Sequence, residues 1–348
     1  IIRTLPLLAC AMLLAAGCST EKLPSKDPGA EIEAVAQTLI EQPLLHSASI
    51  GVVYRGETFI RHRGDMQAGR PGPPNDATLY EIGSLSKTLA GTLVAHAVLE
   101  GRLGLDDDVR RYLQGDYPNL QYQDQPIRIR HLLSHTSGIP DLMAQSEWGR
   151  IRVTPRTPQE LTETSARYGL QFEPGTKIRY DNAAYNLAAE IVAKASGKPF
   201  ETYLNDAILK PLGLKDTGSD AHADAQGLAM GYANFPGGLA AQPIANVSVV
   251  YGAGALYSTL DDMLVWNQAL HKGHVLSDAA YAQMIADHAP EGTPKERGRA
   301  HRAYGYGIYV NSLGEQVKPA FDDKQIYHTG SWAGFRNLVL YQPDADVT

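Results

Sequence analysis

Apolar residues recur at helical spacing over residues 31–39, where Ile32, Val35, Ala36 and Leu39 share one face. The pattern then alternates. Residues 49–54 and 58–62, joined through Arg55-Gly56-Glu57, predict a β-hairpin. The middle of the chain is mostly helical in pattern, over residues 84–101, 157–168, 183–196, 200–208 and 259–270. Strand patterns return at residues 305–310, 325–327 and 337–341; residues 342–345 read as a turn and Val347-Thr348 as the opening of a further strand. Strands at both ends with helices between predict an α+β protein. It has an antiparallel β-sheet flanked by helices and an all-helical lobe inserted within about residues 84–270. No repeat or low-complexity tract interrupts it.

The first residues change the picture. One positive charge (Arg3), an apolar run over residues 5–16 and then Gly17-Cys18-Ser19 read as a lipoprotein signal peptide. The run is well short of the ~20 residues that a spanning helix needs. Residues 1–17 are therefore expected to be removed, with Cys18 carrying lipid and residues 18–30, which include Pro24, Pro28 and several charges, forming a flexible tether. Ser19 after the cysteine points to the outer membrane, facing the periplasm. Of the 2 cysteines only Cys18 would remain, so no disulfide is expected within the mature chain. The net charge of −7 comes with no basic block. Neither nucleic acid nor an anionic membrane surface is an expected partner, and membrane contact is expected through the lipid alone.

Candidate chemistry begins at Tyr80-Glu81-Ile82-Gly83-Ser84-Leu85-Ser86-Lys87, at the head of a long apolar helix. A hydroxyl (Ser84) and an amine (Lys87) three residues apart lie side by side on a helical face. A helix N-terminus favours negative charge, so a serine there ionises more readily. A lysine held out of bulk water loses its proton near neutral pH and serves as the base. Ser86 falls off that face and reads as structural. Tyr180-Asp181-Asn182 follows the turn Glu173-Pro174-Gly175 and precedes a helical run, which places Tyr180 and Asn182 at a loop-to-helix junction facing a cleft. His328-Thr329-Gly330 ends the short strand pattern at residues 325–327.

Serine helix, Tyr-x-Asn loop and basic-Thr-Gly strand, in that order, resemble the serine β-lactamase and penicillin-binding-protein superfamily. Within it the chain is most similar to class C β-lactamases, D-alanyl-D-alanine carboxypeptidases and family VIII esterases. The likeness extends to His131-Leu132-Leu133-Ser134-His135-Thr136-Ser137-Gly138-Ile139-Pro140, to residues 211–217 and to residues 252–259, so it spans residue 50 to the end. The resemblance implies one β-lactamase-like domain over residues 31–348, whose family would finish the last strand and add a helix on the sheet. It implies a serine hydrolase that forms a covalent acyl-enzyme on an amide or ester carbonyl, with a small-molecule or peptide substrate, no cofactor and no metal, as a monomer. Ser84 would be the nucleophile. Lys87 and Tyr180 would move protons, and Asn182 would bind the substrate amide and orient Lys87. The backbone N–H groups of Ser84 and Ser331 would form the oxyanion hole, with His328, Thr329 and Gly330 on the substrate-binding strand.

His328 departs from the lysine common in β-lactamases. A histidine of ordinary pKa ~6.5 is only partly charged at neutral pH. It would donate a hydrogen bond to a substrate carboxylate or to Tyr180, which suits a peptidase or esterase better than a β-lactamase. Two other patterns carry less. His131 and His135 have zinc-helix spacing, but Leu132 stands where a zincin motif needs glutamate and Gly138-Ile139-Pro140 breaks the helix, so both read as structural. Asp106-Asp107-Asp108 lacks the ligand alternation of a calcium loop and reads as a turn and helix cap. The alternatives to a turning-over hydrolase are a penicillin-binding protein that acylates without efficient turnover and an inactive envelope binding protein.

Overall fold

The computed structural model describes residues 27–42, 45–67, 72–219, 227–243, 246–293, 303–310 and 323–348. The expected signal peptide, Cys18 and nearly all of the tether lie outside the described residues. Helix α1 (Pro28–Ile40) starts with a proline in its first turn and the Asp27 carboxylate accepting from Gly29 N at 2.9 Å. Its buried Ala36 and Leu39 pack on Ile50 of the hairpin β1 (Ser47–Tyr54) and β2 (Glu57–Gly64).

The other sheet is antiparallel, in the order β8 (Phe335–Tyr341), β7 (Ile326–Trp332), β6 (Tyr309–Val310), β5 (Ala303–Tyr304). After β8 the chain turns and Val347 bridges both Gln342 and Tyr54. Thr348 exchanges backbone bonds with Val53, at 2.9 and 3.0 Å. The final residues thus join hairpin and sheet, as the strand pattern at Val347-Thr348 predicts. Short β3 (Tyr80–Glu81) pairs with β4 (Tyr257–Ser258) and brings the two ends of the helical region together.

The core lies between this sheet and the helices. Helix α2 (Ser86–Leu99) is buried on most sides, with Leu89, Leu93 and Ala97 fully covered. Beyond the shorter α3 (Ile129–Leu133) and α4 (Pro158–Ala166), α5 (Asn182–Ser196) and α7 (Leu260–His271) pack against it. Buried Trp266 donates its indole N–H to Thr88 at 3.0 Å, and Asn267 donates to Leu340 O at 2.7 Å, which locks α7 to both α2 and the sheet. Helix α6 (Tyr251–Gly254) lies so close to α5 that a Cβ at Gly252 would sit 2.3 Å from that of Ala189.

Three expectations shift in detail. The serine helix does not begin at Ser84, because Gly83–Leu85 form a 3₁₀ turn and the α-helix starts at Ser86. The strand carrying His328 continues to Trp332 instead of ending at Gly330. The middle is not wholly helical, since Tyr232–Phe235 and Gly238–Ala241 form a hairpin. Asp108 caps the turn Val109–Tyr112 through Arg110 N, as the acidic triplet predicts.

Candidate active site

Gly83 adopts φ +53°, a left-handed conformation that glycine takes without Cβ strain. The turn it opens presses against β7. A Cβ on Gly83 would lie 2.9 Å from Ser331 N, and one on Gly330 would lie 1.9 Å from Ile82 O. The two glycines let the Ser84 turn and the β7 backbone touch directly, which brings the backbones of Ser84 and Ser331 together. Within residues 81–90 only Ser84 is not fully buried. No side chain caps the 3₁₀ turn or α2, so the Ser84 hydroxyl is not a helix cap.

The Ser84 hydroxyl instead lies 3.1 Å from Lys87 Nζ. Lys87 has no exposed surface. Its Nζ reaches Asn182 Oδ1 at 2.8 Å and Ala253 O at 2.8 Å, and lies 4.8 Å from the centre of the Tyr180 ring. Burial lowers its pKa to about 7, against the opposing pull of Asp141 and Asp181. Near neutral pH the amine is therefore substantially unprotonated. It then donates to the two oxygens, which only accept, and turns its lone pair toward the Ser84 hydroxyl.

Asn182 is the first residue of α5. Buried Asp181 caps that helix, accepting from Ala184 N at 2.5 Å, and so determines where Tyr180 and Asn182 point. The Tyr180 hydroxyl is hydrogen-bonded with Ser84, and burial, reinforced by Tyr309, holds its pKa well above the phenol range. Tyr180 is thus a neutral phenol rather than a phenolate. Its ring rests on His135, centroids 4.3 Å apart. His135 is itself buried, at φ +58°, with Nδ1 facing the backbone N–H of Asp181 at 3.3 Å. His131 is structural too: its Nδ1 accepts from Arg128 N at 3.1 Å.

His328 lies on β7 but differs from expectation. It is only 1 % exposed. Its Nδ1 faces Thr329 O at 2.8 Å and its Nε2 the Tyr304 hydroxyl at 3.1 Å. A carbonyl oxygen only accepts, so Nδ1 carries the proton and Nε2 accepts from the phenol. Burial, with Lys87 nearby, pushes its pKa down to about 3. The ring has no N–H left for a substrate carboxylate or for Tyr180. Thr329 is half-buried, Gly330 buried and Ser331 exposed. Strand β7 pairs with β8 along its whole length but with β6 only at Ile326 and Tyr327. Among the described residues no strand covers its other edge from His328 onward.

Sequence reasoning gave no role to Asp141, Tyr304 or the carbonyl of Ala253. Asp141 directly follows the motif ending at Pro140. Nothing local in the sequence marks Tyr304 among 18 tyrosines, or any backbone carbonyl.

A buried lysine that is about half neutral at pH 7, beside a reachable serine that also bonds a phenol, on an α+β scaffold, defines a serine acyl hydrolase of the Ser-x-x-Lys type. The chain belongs to the Beta-lactamase family, whose model matches residues 32–348. It is 32% identical over 302 residues to a Bacillus subtilis (strain 168) protein named as a penicillin-binding protein, PbpX, covering 85% of this chain and 70% of that one. It is 27% identical to a beta-lactamase of Escherichia coli (strain K12), covering 97% and 91%. The fold matches the octameric penicillin-binding protein homologue from Pyrococcus abyssi with a TM-score of 0.77 at 24% identity, over 91% of this chain and 71% of that one. The protein is a β-lactamase-related serine hydrolase.

Proposed function

We propose that Ser84 is the nucleophile of an acyl transfer to water and that Lys87 is its base. The observation that carries this is the 3.1 Å contact of Ser84 Oγ with a wholly buried Nζ. Lys87 takes the hydroxyl proton as Oγ attacks the carbonyl. The Tyr180 phenol passes a proton to the leaving group and later helps deliver water to the acyl-enzyme. The backbone N–H groups of Ser84 and Ser331 receive the developing oxyanion, each contributing on the order of 3 kcal/mol. The open edge of β7 pairs with an extended acyl substrate as an added strand.

The substrate that fits best is a carboxyl ester, because His328 is neutral and engaged and supplies neither a cation nor an N–H for the carboxylate that a β-lactam and a D-Ala-D-Ala-type peptide both carry. The protein acts as a monomer, anchored through lipidated Cys18 in the cell envelope and facing the periplasm at the outer membrane. Support for the anchor comes from Gly17-Cys18-Ser19 after a short apolar run.

The test uses a fluorescent penicillin, nitrocefin and p-nitrophenyl butyrate on wild type and Ser84→Ala. Ester turnover in wild type, absent from the variant, with the adduct mapped to Ser84 by mass spectrometry, is the expected result. An adduct on another serine refutes the assignment. The likeness to a penicillin-binding protein supports a second reading, which predicts stoichiometric labelling by penicillin with no turnover of any of the three.

A further inference from the structure

We infer that Asp141 is a positioning residue of this site: its carboxylate holds the Asn182 amide in the one orientation that presents Oδ1 to Lys87. This rests on the proposed roles of Ser84 and Lys87. Asp141 follows the loop that ends at Pro140 and reaches the start of α5, where both its oxygens approach Asn182 Nδ2, at 3.5 and 3.4 Å, and Oδ1 approaches Asn182 N at 3.4 Å. These contacts are long and individually weak. Burial raises the Asp141 pKa; in its ionised form the charge supplies the bias, since an anion a few ångströms away prefers the amide N–H₂ over the amide oxygen.

The bias matters because, while Lys87 is neutral, no other group among the described residues decides the orientation. Asn182 Oδ1 lies 2.8 Å from Lys87 Nζ, and Nδ2 has as its other neighbour the Met143 sulfur at 3.1 Å, a poor acceptor. A protonated lysine would select Oδ1 by itself. The neutral amine that accepts from Ser84 can also accept from Nδ2. A flipped amide would then compete with Ser84 for the lone pair that removes its proton. Asp141 prevents this by making the flip place Oδ1 against a carboxylate.

The charge has a second consequence. The groups facing Lys87 are Ser84 on its own segment, Tyr180, Asp181, Asn182 and Tyr185 on and before α5, Asp141 and His135 on the preceding loop, His328 on β7 and Ala253 O on α6. Both aspartates favour the ammonium form. Removing one of them lowers the lysine pKa, so more of the amine is free at low pH.

Asp141 also caps the short turn Leu142–Ala144, through Met143 N at 3.3 Å. Asparagine caps as well as aspartate does, so Asp141→Asn separates the two roles. The positioning role predicts a folded Asp141→Asn protein whose Ser84 is acylated by p-nitrophenyl butyrate about 100-fold more slowly. The loss should fall in kcat rather than KM, with the acidic limb of the pH–rate profile moved to lower pH. In an Asn182→Ala background the same substitution should cost little further rate. Asp141→Ser, which keeps a capping oxygen without charge, serves if the asparagine variant misfolds. Wild-type rate and pH profile in a folded variant, or full additivity with Asn182→Ala, overturns the inference. Failure of wild type to label on Ser84 instead overturns the catalytic reading beneath it.

Discussion

Replacing Lys87 with methionine tests the electrostatics on which the site depends. The lysine pKa falls from its usual 10.5 to about 7 in the folded protein. Between those values the unfolded chain holds a proton that the folded one does not, so folding stability rises with pH through that window. It is lost as pH falls toward 7, and below 7 the contribution is flat. Each pH unit is worth about 1.4 kcal/mol. Burying the lysine thus costs roughly 5 kcal/mol at neutral pH, offset in part by its bonds to Asn182 and Ala253 O. Methionine does not titrate, and it leaves those two acceptors unpaired at a cost of about 1–3 kcal/mol each. The absolute difference between the proteins at one pH is therefore small and uninformative. Its slope is the signal. From urea unfolding at pH 7 and pH 9, wild type should gain about 2.3 kcal/mol relative to Lys87→Met, slightly under two full units because the folded lysine is half titrated at pH 7. The same titration should govern catalysis, with kcat/KM for p-nitrophenyl butyrate falling about tenfold per unit below pH 7. A stability difference that stays constant between pH 7 and 9 would refute the claim that Lys87 is desolvated and available as a base.

Gly83→Ala forces a Cβ to within 2.9 Å of Ser331 N at φ +53°. It should lower the unfolding temperature and cut ester hydrolysis by about 10²–10³-fold, the loss of one oxyanion donor; near-normal turnover would remove Ser331 from the oxyanion hole. His328→Lys places an ammonium in a nearly sealed position beside Lys87, so it should destabilise by more than about 2 kcal/mol without improving penicillin acylation. A stable variant that hydrolyses nitrocefin faster than wild type would reverse the assignment of His328. Cys18→Ala should release the protein from membranes and block processing after Gly17; continued sedimentation with the membrane fraction, processed at the same bond, would exclude lipidation.

What sequence alone determined is what local pattern encodes. The helix of Ile32, Val35, Ala36 and Leu39, the hairpin around Gly56 and the buried helix after Ser84 follow from apolar periodicity, which reflects which face is hidden. The pairing of Ser84 with Lys87 follows from their three-residue spacing, and the placement of Asn182 at a helix start follows from the turn Glu173-Pro174-Gly175 before it and the helical run after it. The exposed hairpin at residues 232–241 is not legible in the sequence because its four-residue strands bury little, so burial leaves no clear pattern there. The state of His328 was not legible either. Whether a histidine is a free donor or a neutral, buried link depends on Tyr304 and on the carbonyl of Thr329, and Tyr304 is distant in sequence. Asp141 and the Ala253 carbonyl enter the site in the same way, through contacts between loops that only the packed chain brings together. Local periodicity records burial one element at a time. The pKa of Lys87 and the orientation of the Asn182 amide are set by neighbours from four separate segments, and only tertiary structure assembles those.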